Sequence, residues 1–399
     1  MSDGPVDDAV VVKAGVPAAT LRRTRDGIAF RYLDDYRRDG GAAVATTLPL
    51  GDDDVLTPSG AVPAYFAGLL PEGRRLTALR RELKVSADDE LSLLAAIGSD
   101  TVGDVQVFPA EGPQQVADPV IDFSPRRPLD FTDLIGDLAP ADRVGLPGVQ
   151  DKVSGRMIAV PARRAGERFI LKLNPPEYPH VVENEALMIA TARRSGLTTV
   201  KATLVRDVHG TPGLLVTRFD RVPLGDGDVA ARAVEDGCQV LGRWPADKYS
   251  VSSEELALVL IGLCAARPVA ARDIFRQFAF AVATGNGDLH AKNLSVLQQP
   301  GGEWRIAPAY DLPSTALYGD STLALRLGGK RTGVSRRILL DFAENLQLPR
   351  PAASRWLDQI LVGTQNLVER LEADAVPLPA DRLRKGIREL ANRRRLLSE

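Results

Sequence analysis

The sequence predicts an α/β chain of the α+β kind, strand-rich over its first half and mainly helical over its second. Three observations carry that expectation. Residues 27–32 alternate apolar and polar like a half-buried strand, and residues 168–173 read as a buried strand interrupted by one lysine. Beyond Asp236 the apolar spacing is helical almost throughout. The chain has 399 residues of which 44% are apolar, enough for more than one core, so two or three subdomains are expected.

Taken in order, residues 27–32 form a strand and residues 42–50 supply a further one. From Pro63 the pattern turns helical, with Tyr65, Phe66, Leu69 and Leu70 spaced to share a face. Pro71-Glu72-Gly73 interrupts it, and residues 74–83 resume as a charged amphipathic helix. Ser86 to Glu90 is an N-terminal signal for a helix over 91–97, because short polar side chains accept from exposed amides. Residues 102–108 return to strand, and the Pro/Gly-rich 109–128 read as a linker.

A second α/β unit follows from 129 to about 216. Gly145-Leu146-Pro147-Gly148-Val149-Gln150-Asp151-Lys152 is a glycine-containing turn between strands, and 182–194 a helix with Glu185 near its start and Gly196 as C-cap. Residues 214–219 are another strand. The longest apolar run, 256–266, is too short to cross a bilayer and fits a buried helix. Residues 274–283 form a helix burying Phe275, Phe278 and Phe280 to different degrees. Residues 381–395 are a basic amphipathic helix, usually a solvated face, with an acidic-partner or DNA-backbone contact as the alternative.

A net charge of −2 argues against a dedicated nucleic-acid coat. Cys238 and Cys264 offer neither a disulfide framework nor a CxxC site and fit a reducing cytoplasm. Met1-Ser2-Asp3-Gly4-Pro5 lacks a basic segment followed by an apolar one, so no signal peptide and no membrane association are expected.

The chemistry is concentrated in Gly285-Asn286-Gly287-Asp288-Leu289-His290-Ala291-Lys292-Asn293, answered by Tyr310-Asp311. The glycines put Asp288 on a loop rather than in a regular element. A carboxylate followed five positions on by Asn, then a second carboxylate after a strand-like run, suits phosphoryl transfer. Asp288 would orient an attacking hydroxyl while Asn293 and Asp311 hold Mg²⁺ against nucleotide phosphates. His290 has no metal-ligand spacing with His180 or His209, and reads as orienting the loop it shares with Lys292. Lys172 sits in an apolar strand where an unpaired ammonium is costly. Held by Glu185 it would contact phosphates, whereas on an edge strand it would simply face solvent. Gly145 to Lys152 is neither GxxxxGK[ST] nor a full GxGxxG, and an ordinary hairpin reads the same. A strand-rich lobe followed by a helical one carrying these residues is a protein-kinase-like architecture.

Together these segments resemble the HipA family of serine/threonine kinases, the toxins of bacterial toxin–antitoxin pairs. The resemblance spans nearly the whole chain. Ala64 to Gly73 and Leu91 to Gly98 resemble the family's additional N-terminal subdomain, Gly148-Val149-Gln150-Asp151-Lys152 its phosphate loop, and Ile170-Leu171-Lys172-Leu173 its nucleotide lysine. Arg218-Phe219-Asp220-Arg221 resembles the segment after the adenine hinge, and Glu235 to Gln239 the run that follows. The resemblance implies an N-terminal subdomain at 1–112, a kinase N-lobe at 113–216 and a helical C-lobe at 217–399. It implies ATP and Mg²⁺ as cofactors, with Asp288 catalytic, Asn293 and Asp311 on the metal, and Gly148, Gln150, Lys152, Lys172 and Glu185 serving the phosphates. Thr217, Phe219 and Tyr310 line the adenine pocket, and His290 and Lys292 complete the nucleotide site. It further implies a protein substrate, best known as an aminoacyl-tRNA synthetase, and a helix-turn-helix antitoxin of the HipB type, with DNA met only through that partner. One departure stands out. Where well-known members carry a serine whose autophosphorylation ejects the phosphate loop, this chain has Gly145, with Ser154 as a possible substitute. A small-molecule kinase and an antitoxin-bound regulatory subunit are the rival readings.

Overall fold

A computed structural model of the chain describes residues 6–86, 88–111, 121–122, 129–131, 157–164, 167–224 and 229–399. The glycine turn with Gly145, Gly148, Gln150 and Lys152, and also Ser154, lie outside the described residues, as does most of the expected linker.

Five antiparallel strands form the first sheet: β1 (Asp8–Lys13), β2 (Val16–Arg23), β3 (Ile28–Tyr32), β4 (Val55–Thr57) and β5 (Val105–Pro109), in the order β4-β3-β2-β1-β5. Their inward residues Val11, Leu21, Ile28 and Phe30 close a core against Tyr65, Phe66, Leu91 and Leu94 from the short helices Ala64–Ala67 and Glu90–Ile97. The second of these helices is capped as its sequence foretells, the Asp89 carboxylate accepting from Ser92 N–H at 3.2 Å. The helix expected from Pro63 is shorter than the spacing suggested, and Leu69 and Leu70 pack on the same core from beyond its end. Residues 42–50 are not a strand. They wrap the Tyr32 hydroxyl, which accepts from Val44 N–H at 2.8 Å and donates to the Leu48 carbonyl at 2.5 Å, so a side chain takes the backbone groups a ladder would have used.

The second sheet contains β6 (Ile121–Asp122), β7 (Ile158–Arg164), β8 (Glu167–Leu173), β9 (Ala202–Arg206) and β10 (Pro212–Thr217), in the order β6-β7-β8-β10-β9. Helix Val181–Arg194 packs against β9 and β10 and ends at Gly196, whose positive φ of 78° lets the chain reverse there. Two short hairpin strands, β11 (Arg221–Pro223) and β12 (Val229–Ala231), lead to a third sheet of β13 (Val234–Asp236), β14 (Ser295–Gln298) and β15 (Trp304–Ile306).

The remaining chain is helical, arranged around the helix Arg267–Thr284, which buries Phe275, Phe278 and Phe280 alike. Helix Ser253–Leu263 buries one face only, leaving Leu258 50% exposed, so the apolar run is less buried than its composition suggested. The basic helix Ala380–Ser398 turns two of its arginines inward. Arg393 donates to the carbonyls of Val282 and Ser321, and Arg394 to the Leu361 carbonyl at 2.6 Å. That satisfies C-lobe carbonyls and favours a structural reading for this part of the basic run.

One core joins the helix Val181–Arg194 and β10 to the C-lobe, whereas the first domain has its own. A buried ionic cluster connects the two. Arg218 and Arg221 both pair with Asp220, at 2.7 Å each, and with Asp100 of the first domain, at 2.7 and 3.0 Å. Gly103 N–H also donates to Asp220 at 3.0 Å. Farther along, the Glu235 carboxylate accepts from the backbone and hydroxyl of Thr46 at 2.8 and 2.7 Å.

Candidate active site

Lys172 lies on β8, the middle strand of the second sheet, so the edge-strand alternative does not hold. Its ammonium contacts both Glu185 oxygens, at 2.8 and 3.0 Å, and also Asp311. Glu185 is fully buried on the first turns of the helix that crosses the sheet, while the Asp311 side chain keeps 26% exposure. Burial opposes the Lys172 charge, but Asp311 and Glu185 outweigh it and hold the ammonium protonated, above its ordinary range. For Glu185 burial dominates and lifts the carboxyl to about 7, against the pull of Lys172.

The loop bearing Asp288 begins where Gly285 ends the long helix with a φ of 63°. Gly287 is required by space: a Cβ there would come 2.3 Å from the Thr322 carbonyl oxygen and 2.6 Å from Thr315 Oγ1. Asp288 is fully buried. Its N–H donates to Asn286 Oδ1 at 2.8 Å, and its carbonyl accepts from Asn293 Nδ2 and His290 N–H, both at 2.8 Å. Asn286 also reaches the Asp311 carbonyl at 3.4 Å, so one amide side chain ties the segments of both acids. Tyr249 puts its hydroxyl 3.4 Å from Asp288 Oδ1 and its ring edge-on to His290, with centroids 5.2 Å apart. His290 Nε2 stands 3.9 Å from the same oxygen, which fits an orienting role.

Asp311 has a φ of 53°, an uncommon conformation for a residue with a Cβ and one found at strained functional positions. Tyr310 beside it bonds the Lys292 carbonyl at 2.7 Å and Ser295 Oγ at 2.5 Å, and stacks on Phe219 with centroids 5.7 Å apart and rings inclined at 29°. Thr217 ends β10 half-buried, its N–H on the Lys201 carbonyl at 2.8 Å. Lys292 departs from the expected nucleotide contact. Its ammonium is engaged by Asp236 at 2.8 Å and by the Gly68 carbonyl of the first domain at 2.9 Å, a bridge between domains.

Asp311, partly open to solvent, and Asn293, on the same loop as Asp288, form the oxygen donor set a hard divalent cation prefers. Among the described residues no three of His, Cys, Asp or Glu converge on a metal position. One carboxylate and one amide oxygen match the donor type of Mg²⁺ but are too few to hold it without phosphates and water as further ligands. Asn286 stands in the quoted motif and Asp236 in the run 235–239, but their contacts, and Tyr249 altogether, were not foreseen from the sequence. Only Asn286 had a local signal, as a short polar residue between two glycines.

A strand lysine locked to a helix glutamate, facing a loop with Asp and Asn and a following Asp, defines a kinase. Comparison with known proteins agrees. The HipA-like C-terminal domain matches residues 144–367 and the HipA N-terminal domain residues 9–108. The putative kinase Y4dM of Sinorhizobium fredii is 31% identical over 84% of this chain and 84% of its own length. The serine/threonine-protein kinase toxin HipA of Shewanella oneidensis is 28% identical over 82% of this chain and 80% of its own. In the solved complex of Shewanella oneidensis HipA with HipB and operator DNA, the matching chain superposes with a TM-score of 0.77. The match covers 98% of this chain and 97% of that one at 22% identity, which shows a shared fold. This chain belongs to the HipA family.

Proposed function

We propose that the protein is an ATP- and Mg²⁺-dependent serine/threonine kinase that phosphorylates a protein in the cytoplasm and acts as the toxin of a toxin–antitoxin pair. The observation that carries this reading is the Lys172–Glu185–Asp311 contact, tied to the Asp288–Asn293 loop by the Asn286 side chain. Lys172 would bind nucleotide phosphates, held in place by Glu185. Phe219 and Tyr310 would offer a flat apolar surface to the base, beside the backbone of Thr217. Asn293 and Asp311 would hold Mg²⁺, which supplies charge neutralisation on the phosphates when bound. Asp288 would accept the proton of the substrate hydroxyl, its carboxylate oriented by Tyr249 and by the bonds that fix its backbone.

A protein acceptor is favoured by the whole-chain likeness to a protein kinase toxin, with an aminoacyl-tRNA synthetase as the first candidate. A HipB-type helix-turn-helix antitoxin is the proposed restraint, with DNA reached through it. No helix among the described residues is long and apolar enough to cross a membrane. The test is label transfer from γ-labelled ATP to proteins of a bacterial lysate. Wild type should label discrete proteins and Asp288→Asn should do so roughly 10²–10⁴-fold more slowly. Labelling confined to small molecules would favour a metabolite kinase, and equal growth arrest by wild type and Asp288→Asn would favour a non-catalytic subunit.

A further inference from the structure

The first domain reaches the catalytic loop through two ammonium groups that phosphoryl transfer does not itself employ. Lys292, one residue before Asn293, spans the Gly68 carbonyl and Asp236 at 2.9 and 2.8 Å. Lys248 pairs with Glu72 at 2.6 Å and stands over the Tyr249 ring, 5.4 Å from its centroid. That same Tyr249 approaches Asp288 Oδ1. Both lysines thus meet the segment Gly68-Leu69-Leu70-Pro71-Glu72, Lys292 at its first residue and Lys248 at its last.

This segment is fixed closely. Gln239 Nε2 donates to the Tyr65 carbonyl at 2.9 Å, and a Cβ on Gly68 would sit 2.7 Å from Gln239 Cγ. The Asp100–Arg218–Asp220–Arg221 cluster and the Thr46–Glu235 bonds also join the first domain to the rest of the chain, away from the loop. What residues 68–72 add is contact at the loop itself. The Lys292 pair is mostly enclosed, with 13% and 12% side-chain exposure, so its geometry is constrained more tightly than that of a surface ion pair.

We propose that residues 68–72 of the first domain are a built-in positioning element for the catalytic loop, with Glu72, Lys248 and Lys292 as positioning residues. Glu72 holds Lys248, and through it the Tyr249 that meets Asp288. Lys292 holds the turn that presents Asn293. The inference rests on the kinase reading above.

The experiment compares full-length wild type with Glu72→Lys, Lys248→Glu, their double exchange, and Lys292→Met. Initial rates of label transfer to lysate proteins are measured over a range of ATP concentrations, beside hydrogen exchange of residues 285–293 and melting temperature. Each single variant should lower the maximal rate about tenfold, with KM for ATP changed by less than about twofold, and should speed exchange in the loop. The double exchange should restore most of the rate and the protection at Glu72 and Lys248. Unchanged rate and exchange in the single variants overturn the proposal. So does a loss that the double exchange leaves uncorrected while the melting temperature falls, which would make the contacts docking contacts only. A wild type that transfers no label overturns the kinase reading instead, and hydrogen exchange then decides the positioning role alone.

Discussion

At Lys172 a single ammonium satisfies two carboxylates, and the arrangement is strongly asymmetric toward loss. Lys172→Ala leaves Glu185 buried opposite Asp311 with no cation between them. Removing one partner of a buried pair costs about 3–5 kcal/mol, so this variant should melt earlier as well as lose nucleotide binding. Thermal melts with and without MgATP separate the two effects. Gly287→Ala forces a Cβ against the Thr322 carbonyl, a backbone atom with little freedom to retreat. It should cost about 1–3 kcal/mol and displace Asp288, read as lost phosphotransfer at a temperature where the variant is still folded. Lys172 and Asp288 stand out in the sequence, as a charge in an apolar strand and a carboxylate after a glycine break, whereas Glu185, Asn293 and Asp311 drew notice only by their spacing from these two. Tyr249 and Asp236 do not stand out, since what matters about them is a contact with residues far along the chain.

Among the elements, helices with a cap or a clear stop were readable, and Glu90–Ile97 and Val181–Arg194 fall within a residue of expectation. Residues 42–50 misled because their backbone groups are taken by the Tyr32 hydroxyl, which no local pattern reveals. The helix Ala380–Ser398 shows the same limit in another form. Its arginines look alike in sequence, yet Arg393 is buried on main-chain carbonyls while Arg395 is 62% exposed. Arg393→Ala should therefore destabilise by about 2–3 kcal/mol through lost charged hydrogen bonds, and Arg395→Ala by less than about 0.5 kcal/mol. Chemical denaturation of both variants checks the contrast.

For the molecule as a whole, the two domains depend on charges taken out of water together. Burial works against the Asp220 charge, but Arg218, Arg221 and the Gly103 amide outweigh it and hold its pKa below the ordinary 3.8. A carboxylate depressed on folding adds stability that is complete above its unfolded pKa and fades as pH falls through the folded one. Asp220 should thus support the fold throughout the neutral range and fail it only below about pH 4. Asp220→Asn should flatten that acid limb and lower the melting temperature at pH 7, which scans across pH will show. A first domain with its own core, set before a larger mainly helical part, was legible from composition and motifs. The joining of the first domain to residues 218–221 was not, because Asp100 and Asp220 are ordinary acids until the fold brings two arginines between them.

The inward turn of Arg393 also bears on the order in which the site becomes competent during synthesis. Its guanidinium braces the Val282 carbonyl, just before the glycine that launches the catalytic loop. Residues 380–398 are synthesised after every residue of the cleft, so while they are still within the ribosome the platform beneath Asp288 lacks its brace. Products cut short before residue 380 should therefore fold without that brace and transfer little or no phosphate. Expression of such truncations beside the full chain, scored by label transfer, tests this.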